Sequence, residues 1–202
     1  MFISRLFPKR SAQSFRADNS GMAAVEFGLI APVALIMMIG AMEYSRAVVL
    51  ARRFNLVTAT ISDLVARDDY EDTTSMAGLK NAMSTIWSPY DPATLDLKVI
   101  AVRQGAAGGT KAGQNYVYWG KDLISGADIS ACTSYSGLPG GLLSPGASTI
   151  VVNATYTYHT LFGVKVPGMA TTTQNWTSSS SHAPRNLCVG WPTAICTTPC
   201  EN

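Results

Sequence analysis

Residues 22–42 carry a single charged side chain, Glu26, in an otherwise strongly apolar run of 21 residues. Coiled as an α-helix at about 1.5 Å per residue, that run spans roughly 32 Å, close to the ~30 Å hydrocarbon layer of a bilayer. Arg5, Lys9, Arg10 and Arg16 precede it against one acid, Asp18. This bias predicts a leader that stays in the cytoplasm and an exported remainder. A cleaved secretory signal would have an apolar core of about 7–15 residues followed by a small-residue cut site. Here the core is longer, and a helical pattern continues through its end. Charged residues make up 14% of the chain, against about 25% in an ordinary soluble domain. With Lys+Arg 15 and Asp+Glu 13, and no basic run interleaved with aromatics, nucleic acid is not an expected partner.

Beyond the apolar run, Tyr44, Val48, Leu56 and Ile61 recur with Ala47, Leu50, Val57 and Leu64 at three- and four-residue spacings, and no Pro or Gly interrupts residues 41–67. That pattern extends the helix as an amphipathic one to Arg67, roughly 69 Å in all, with one face against a head domain. The acids Asp68, Asp69, Glu71 and Asp72 fit a helix C-terminus badly and mark a break. A second helix is expected over 74–87, stopped by Ser88-Pro89. Strands are expected at 95–103, 115–119, 149–159 and 169–177. In the third, Ile150, Val152, Ala154, Tyr156 and Tyr158 face one way, as in a half-buried antiparallel strand. Residues 130–148, rich in Gly, Pro and Ser, read as a long loop. The expected fold is α+β: a long N-terminal transmembrane helix continuing as an amphipathic helix packed on a small antiparallel sheet. The divisions are a basic leader 1–21, a long helix 22–67 (22–42 transmembrane, 43–67 periplasmic), a head 68–178 and a Cys-rich tail 179–202.

Cys132, Cys188, Cys196 and Cys200 all fall in the exported part, where an oxidising compartment favours disulfides. Four cysteines permit three pairings, and the sequence does not choose among them. His182 with the last three cysteines has the residue types of a zinc site, but spacings of five, seven and three residues fit no compact knuckle. His159 and the many serines lack a GxSxG elbow. No cofactor, metal or catalytic residue is expected, and the chain reads as a non-enzyme. Asn153 and Asn175 match glycosylation acceptors by pattern only. Tyr116, Tyr118, Trp119, Tyr156 and Tyr158 read as sheet packing.

The most informative stretch is Asn19-Ser20-Gly21-Met22-Ala23-Ala24-Val25-Glu26-Phe27. A basic leader ends in Gly, and an apolar helix follows with an acid at its fifth residue and an aromatic at its sixth. This resembles type IV pilins. The continuation Gly-Leu-Ile-Ala-Pro, with Glu43-Tyr44-Ser45-Arg46 further along, resembles the TadE-like family, pseudopilins of the tight-adherence (Flp) pilus system. The resemblance is specific over about residues 18–67. It implies cleavage after Gly21 by a prepilin peptidase, Met22 as the new N-terminus, Glu26 as the acid used in assembly, and Phe27 where related subunits often carry Tyr. It also implies a minor pseudopilin of the bacterial inner membrane. Its partners would be that peptidase, sibling minor pseudopilins, assembly platform proteins and membrane lipid. The alternative is an uncleaved, membrane-anchored periplasmic scaffold or adhesin-like binding protein.

Physical chemistry supports the same residues independently. A carboxylate inside hydrocarbon costs about 2.5–3.5 kcal/mol on insertion scales and needs a partner. Cleavage frees an α-amine with a pKa of about 7.7–8.0, a cation at neutral pH, which can pair with Glu26 of a neighbouring subunit. Pro32 cannot donate to Gly28, so a bend is expected there. Gly28, Ala31, Gly40 and Ala41 offer small surfaces for helix contact.

Overall fold

The computed structural model describes residues 21–161, 163, 172–193, 196 and 200. The basic leader 1–20 and positions 169–171 of the expected last strand lie outside the described residues. The long helix, α1, is continuous over Met22–Arg67 (46 residues). It ends where Asp68 turns extended, and Asp63 pairs with Arg67 across the last turn at 2.6 Å. A cation in that turn suits the negative end of the helix dipole. The acidic break has a structural use. The Asp72 carboxylate accepts from the Thr74 and Ser75 amides at 2.8 and 2.7 Å, and Ser75 Oγ accepts from the Asp72 amide at 2.8 Å. This capping box starts α2, Thr73–Trp87.

A short 3-10 turn, Pro92–Thr94, leads into the sheet. Its strands are β1 (Leu95–Gln104), β2 (Asn115–Asp122), β3 (Ser148–His159) and β4 (Thr173–His182), in the order β2-β1-β3-β4, all antiparallel. The two central strands are in register through Leu97 opposite Ala154, Val99 opposite Val152 and Ala101 opposite Ile150. These residues alternate onto the face that meets the helices, as the period-two pattern requires. At a bulge the register steps from Ala101 opposite Trp119 to Val102 opposite Val117, so Tyr118 and Trp119, though adjacent, both join the main core.

That core lies between the inner sheet face and the two helices. Leu50, Phe54, Val57, Ile61 and Val65 of α1 meet Leu79, Met83 and Trp87 of α2 and the inner residues of β1 and β3. At about 1.5–3 kcal/mol per buried large side chain, this face binds α1 to the head far more firmly than helix propensity does. The 130–148 segment does more than connect strands. Leu138 and Leu143, with Ile129 and Tyr135, cover a second small cluster of Ile100, Val102, Val117 and Val151 on the outer face.

β4 lies further along the chain than residues 169–177, reaching His182. Its run of four serines carries no hydrophobic alternation, so the sequence gives no strand signal there. Tertiary packing supplies it: Ser178 reaches Asn55, and Ser180 reaches Ser62 of α1. Small side chains on this strand let the helix approach the sheet closely. Residues 185–190, after β4, are held by their contacts. Arg185 and Gly190 donate to the Ala66 and Asp69 carbonyls, the Glu71 amide donates to the Gly190 carbonyl, and Trp119 Nε1 donates to the Val189 carbonyl at 2.8 Å. Disulfides Cys132–Cys200 and Cys188–Cys196 fasten this segment.

Candidate functional site

The residues singled out from the sequence fall on the part of α1 that the head does not touch. Gly21, Met22, Glu26, Phe27 and Gly28 are all exposed, and no residue from 22 to 42 is buried. This stretch has a mean hydropathy of 2.2 in its most apolar window, enough to cross a membrane by length and composition. Gly21 sits at the helix N-cap without a side-chain cap. Its backbone is helical rather than extended (φ −77°, ψ −17°), and its carbonyl accepts from the Val25 amide at 3.1 Å. A protease needing an extended peptide here would have to unwind that first turn. A residue without a Cβ, at a frayed helix end, makes this inexpensive. Glu26 stands one turn above Met22 on the same helix face. α1 continues through Pro32, and the space around Gly28 is open.

A buried polar cluster of the head centres on Glu43, which the sequence marks only as part of the Glu43-Tyr44-Ser45-Arg46 run. Glu43, the first residue after the apolar run, is 1% exposed. The Tyr158 hydroxyl donates to Glu43 Oε1, and the Leu161 amide lies 3.3 and 3.2 Å from its two oxygens. Arg46 Nη1 is 3.7 Å from Oε1 and donates to the His159 carbonyl at 3.3 Å. Its guanidinium lies 5.7 Å from the centre of the Tyr158 ring, which stacks on Trp176 at 4.7 Å. Burial pushes the Tyr158 phenol up to about 12, and the Glu43 hydrogen bond and charge add to the effect. A buried carboxylate costs several kcal/mol unless its lone pairs are filled; here a hydroxyl, an amide and a cation fill them. The cluster joins α1 to the β3–β4 end of the head at the boundary of the apolar run. The sequence signal was present: an acid directly after a bilayer-length run, with Arg three residues later.

Glu71 is a second buried acid, differently placed. It is 0% exposed, and neither carboxylate oxygen has a hydrogen-bond partner among the described residues. Burial pushes its carboxyl up to about 7; the nearby Ser75 hydroxyl, which donates to the Asp72 carbonyl rather than to Glu71, opposes this, and Asp68 and Asp72 reinforce it.

Ser62 Oγ lies 2.7 Å from His182 Nδ1, a nucleophile–base distance. However, Ser62 is fully buried, and the pair packs α1 on β4. The four cysteines are all taken up by the two disulfides, so His182 has no thiolates beside it for zinc.

Residues 21–61 match the family model described as TadE-like protein. The match bears out the resemblance and begins at Gly21. No curated protein and no solved structure matches the chain.

Proposed function

We propose, with the TadE-like match over residues 21–61 as premise, that the chain is a minor pseudopilin of a tight-adherence pilus. The match supports involvement in assembly of such pili in general; the finer role rests on the residues. Residues 22–42 would anchor the chain in the inner membrane, with the head on the periplasmic side. A prepilin peptidase would cut after Gly21. The head would contact sibling minor subunits and assembly platform proteins, with no chemistry or cofactor of its own.

The observation that carries this reading is Glu26, the only charge in a 21-residue exposed apolar stretch, set five residues past Gly21. Removal of the leader would place a cation at Met22, and pairing that amine with Glu26 of a neighbouring subunit would fix the axial stagger between packed helices.

Intact mass of the chain from its native host tests the cut. The expected mass is that of a chain starting at Met22. A chain retaining residues 1–21 while pili form normally would reject processing and leave the uncleaved tethered scaffold. Glu26→Ala is expected to insert in the membrane normally and to abolish assembly.

A further inference from the structure

Burial along α1 begins abruptly. No residue from 22 to 42 is buried, and Glu43 is held at once by Tyr158 and Leu161. No linker separates the apolar run from the head. The polar layer on each side of a bilayer is about 5–7 Å deep, some four residues of helix. If residues 22–42 cross the membrane, as the proposed function holds, the end of the head that grips residues 43–46 lies within that layer. Tyr44 and Leu161, 60% and 63% exposed, stand at this level. An exposed tyrosine suits the interface.

At the same level a groove opens between α1 and the turn after α2, lined by Met38, Met42, Ser45, Arg46, Val49 and Tyr90. Its wall is graded. Met38 and Met42 belong to the apolar run. Ser45, Arg46 and Tyr90 add a hydroxyl, a guanidinium and a phenol above them. From Met38 to Val49 the helix rises about 16 Å, room for the upper part of an acyl chain with its glycerol and phosphate.

We propose that this groove seats one phospholipid of the outward-facing leaflet, its methylenes on Met38 and Met42 and its phosphate at Arg46 and Tyr90, so that the head rests base-down on the membrane. The continuity of the groove with the apolar run, and its polarity gradient along the membrane normal, favour lipid over a protein segment. Glu43 offsets the Arg46 charge at 3.7 Å. Arg53, 6.0 Å from the centre of the Tyr90 ring, adds a cation at the groove's upper end, so the groove takes zwitterionic lipid and holds anionic lipid at least as well.

The test is site-specific photocrosslinking of the full chain. It is reconstituted in vesicles of phosphatidylcholine, or of phosphatidylcholine mixed with phosphatidylglycerol. p-Benzoylphenylalanine replaces Tyr90 or, in a second variant, Ser45. Val33 is the position within the apolar run, and Leu142 the position at the far end of the head. Lipid adducts detected by mass spectrometry are expected at 33, 45 and 90 in both vesicle types, and not at 142. Adducts at 33 but neither at 45 nor at 90, or protein–protein crosslinks there instead, would overturn the lipid groove and leave the anchor standing. No lipid adduct at 33 would overturn the anchor itself. Adducts at 90 only when phosphatidylglycerol is present would overturn the seating of zwitterionic lipid.

Discussion

Replacing Glu71 with glutamine should stabilise the head at pH 8 and remove most of its pH dependence between pH 5 and 8. Glu71 is fully buried beside the Gly190 segment, with both oxygens unpartnered among the described residues, and its carboxyl is raised from 4.5 to about 7. A folded-state value above the unfolded one means the folded chain holds the proton more tightly. Below the unfolded value both states are protonated, and the group contributes nothing. As pH rises from about 4.5 to about 7, the unfolded chain ionises first and stability falls. Above that range the loss is complete. A shift of this size corresponds to at most about 3.4 kcal/mol, at about 1.36 kcal/mol per unit. Its neighbours, exposed Tyr70 and half-buried Asp72, admit solvent screening, which brings the expectation to about 2 kcal/mol. An isosteric amide removes the charge and keeps the volume. The assay is denaturant unfolding of the disulfide-intact chain in detergent at pH 5, 6, 7 and 8. Tryptophan emission is a suitable probe, since Trp119 donates to the adjoining Val189 carbonyl. Wild type should lose about 1.5 kcal/mol from pH 5 to 8, and Glu71→Gln should lose far less. Equal slopes for the two proteins would refute the assignment of this charge to a dry, unpaired site.

Tyr158→Phe strips the buried Glu43 carboxylate of a donor and is expected to cost about 2–4 kcal/mol, read as a lowered thermal midpoint in detergent; an unchanged midpoint would mean Glu43 is not held as described. Replacing both Cys132 and Cys200 with serine opens a link spanning 68 residues of chain. Loop-closure entropy puts the loss at up to about 4 kcal/mol. The same denaturant assay should show that loss, with the Cys188–Cys196 pair intact by mass.

Periodicity and charge determined the elements whose physics is local. A run with one charge in 21 residues, followed by three- and four-residue apolar spacings without Pro or Gly after residue 41, specifies one helix from the apolar run to the head. α1 spans Met22–Arg67 accordingly. Strict alternation placed Ile150, Val152, Ala154 and Tyr158 on the core face of β3. The pattern of Gly21, Glu26 and Phe27 is likewise legible without coordinates, because it acts along a single helix. What the tertiary structure alone decided depends on residues distant in sequence. β4 extends through a serine run because α1 needs small partners there. The pairing of Cys132 with Cys200 follows from where the last segment lies against the head. Glu43 and Glu71 look alike in sequence as acids bordering apolar helical stretches. Their surroundings make one a satisfied junction and the other an unpaired charge, since the cost of burying a carboxylate is set by the donors and solvent around it, which chain order does not record.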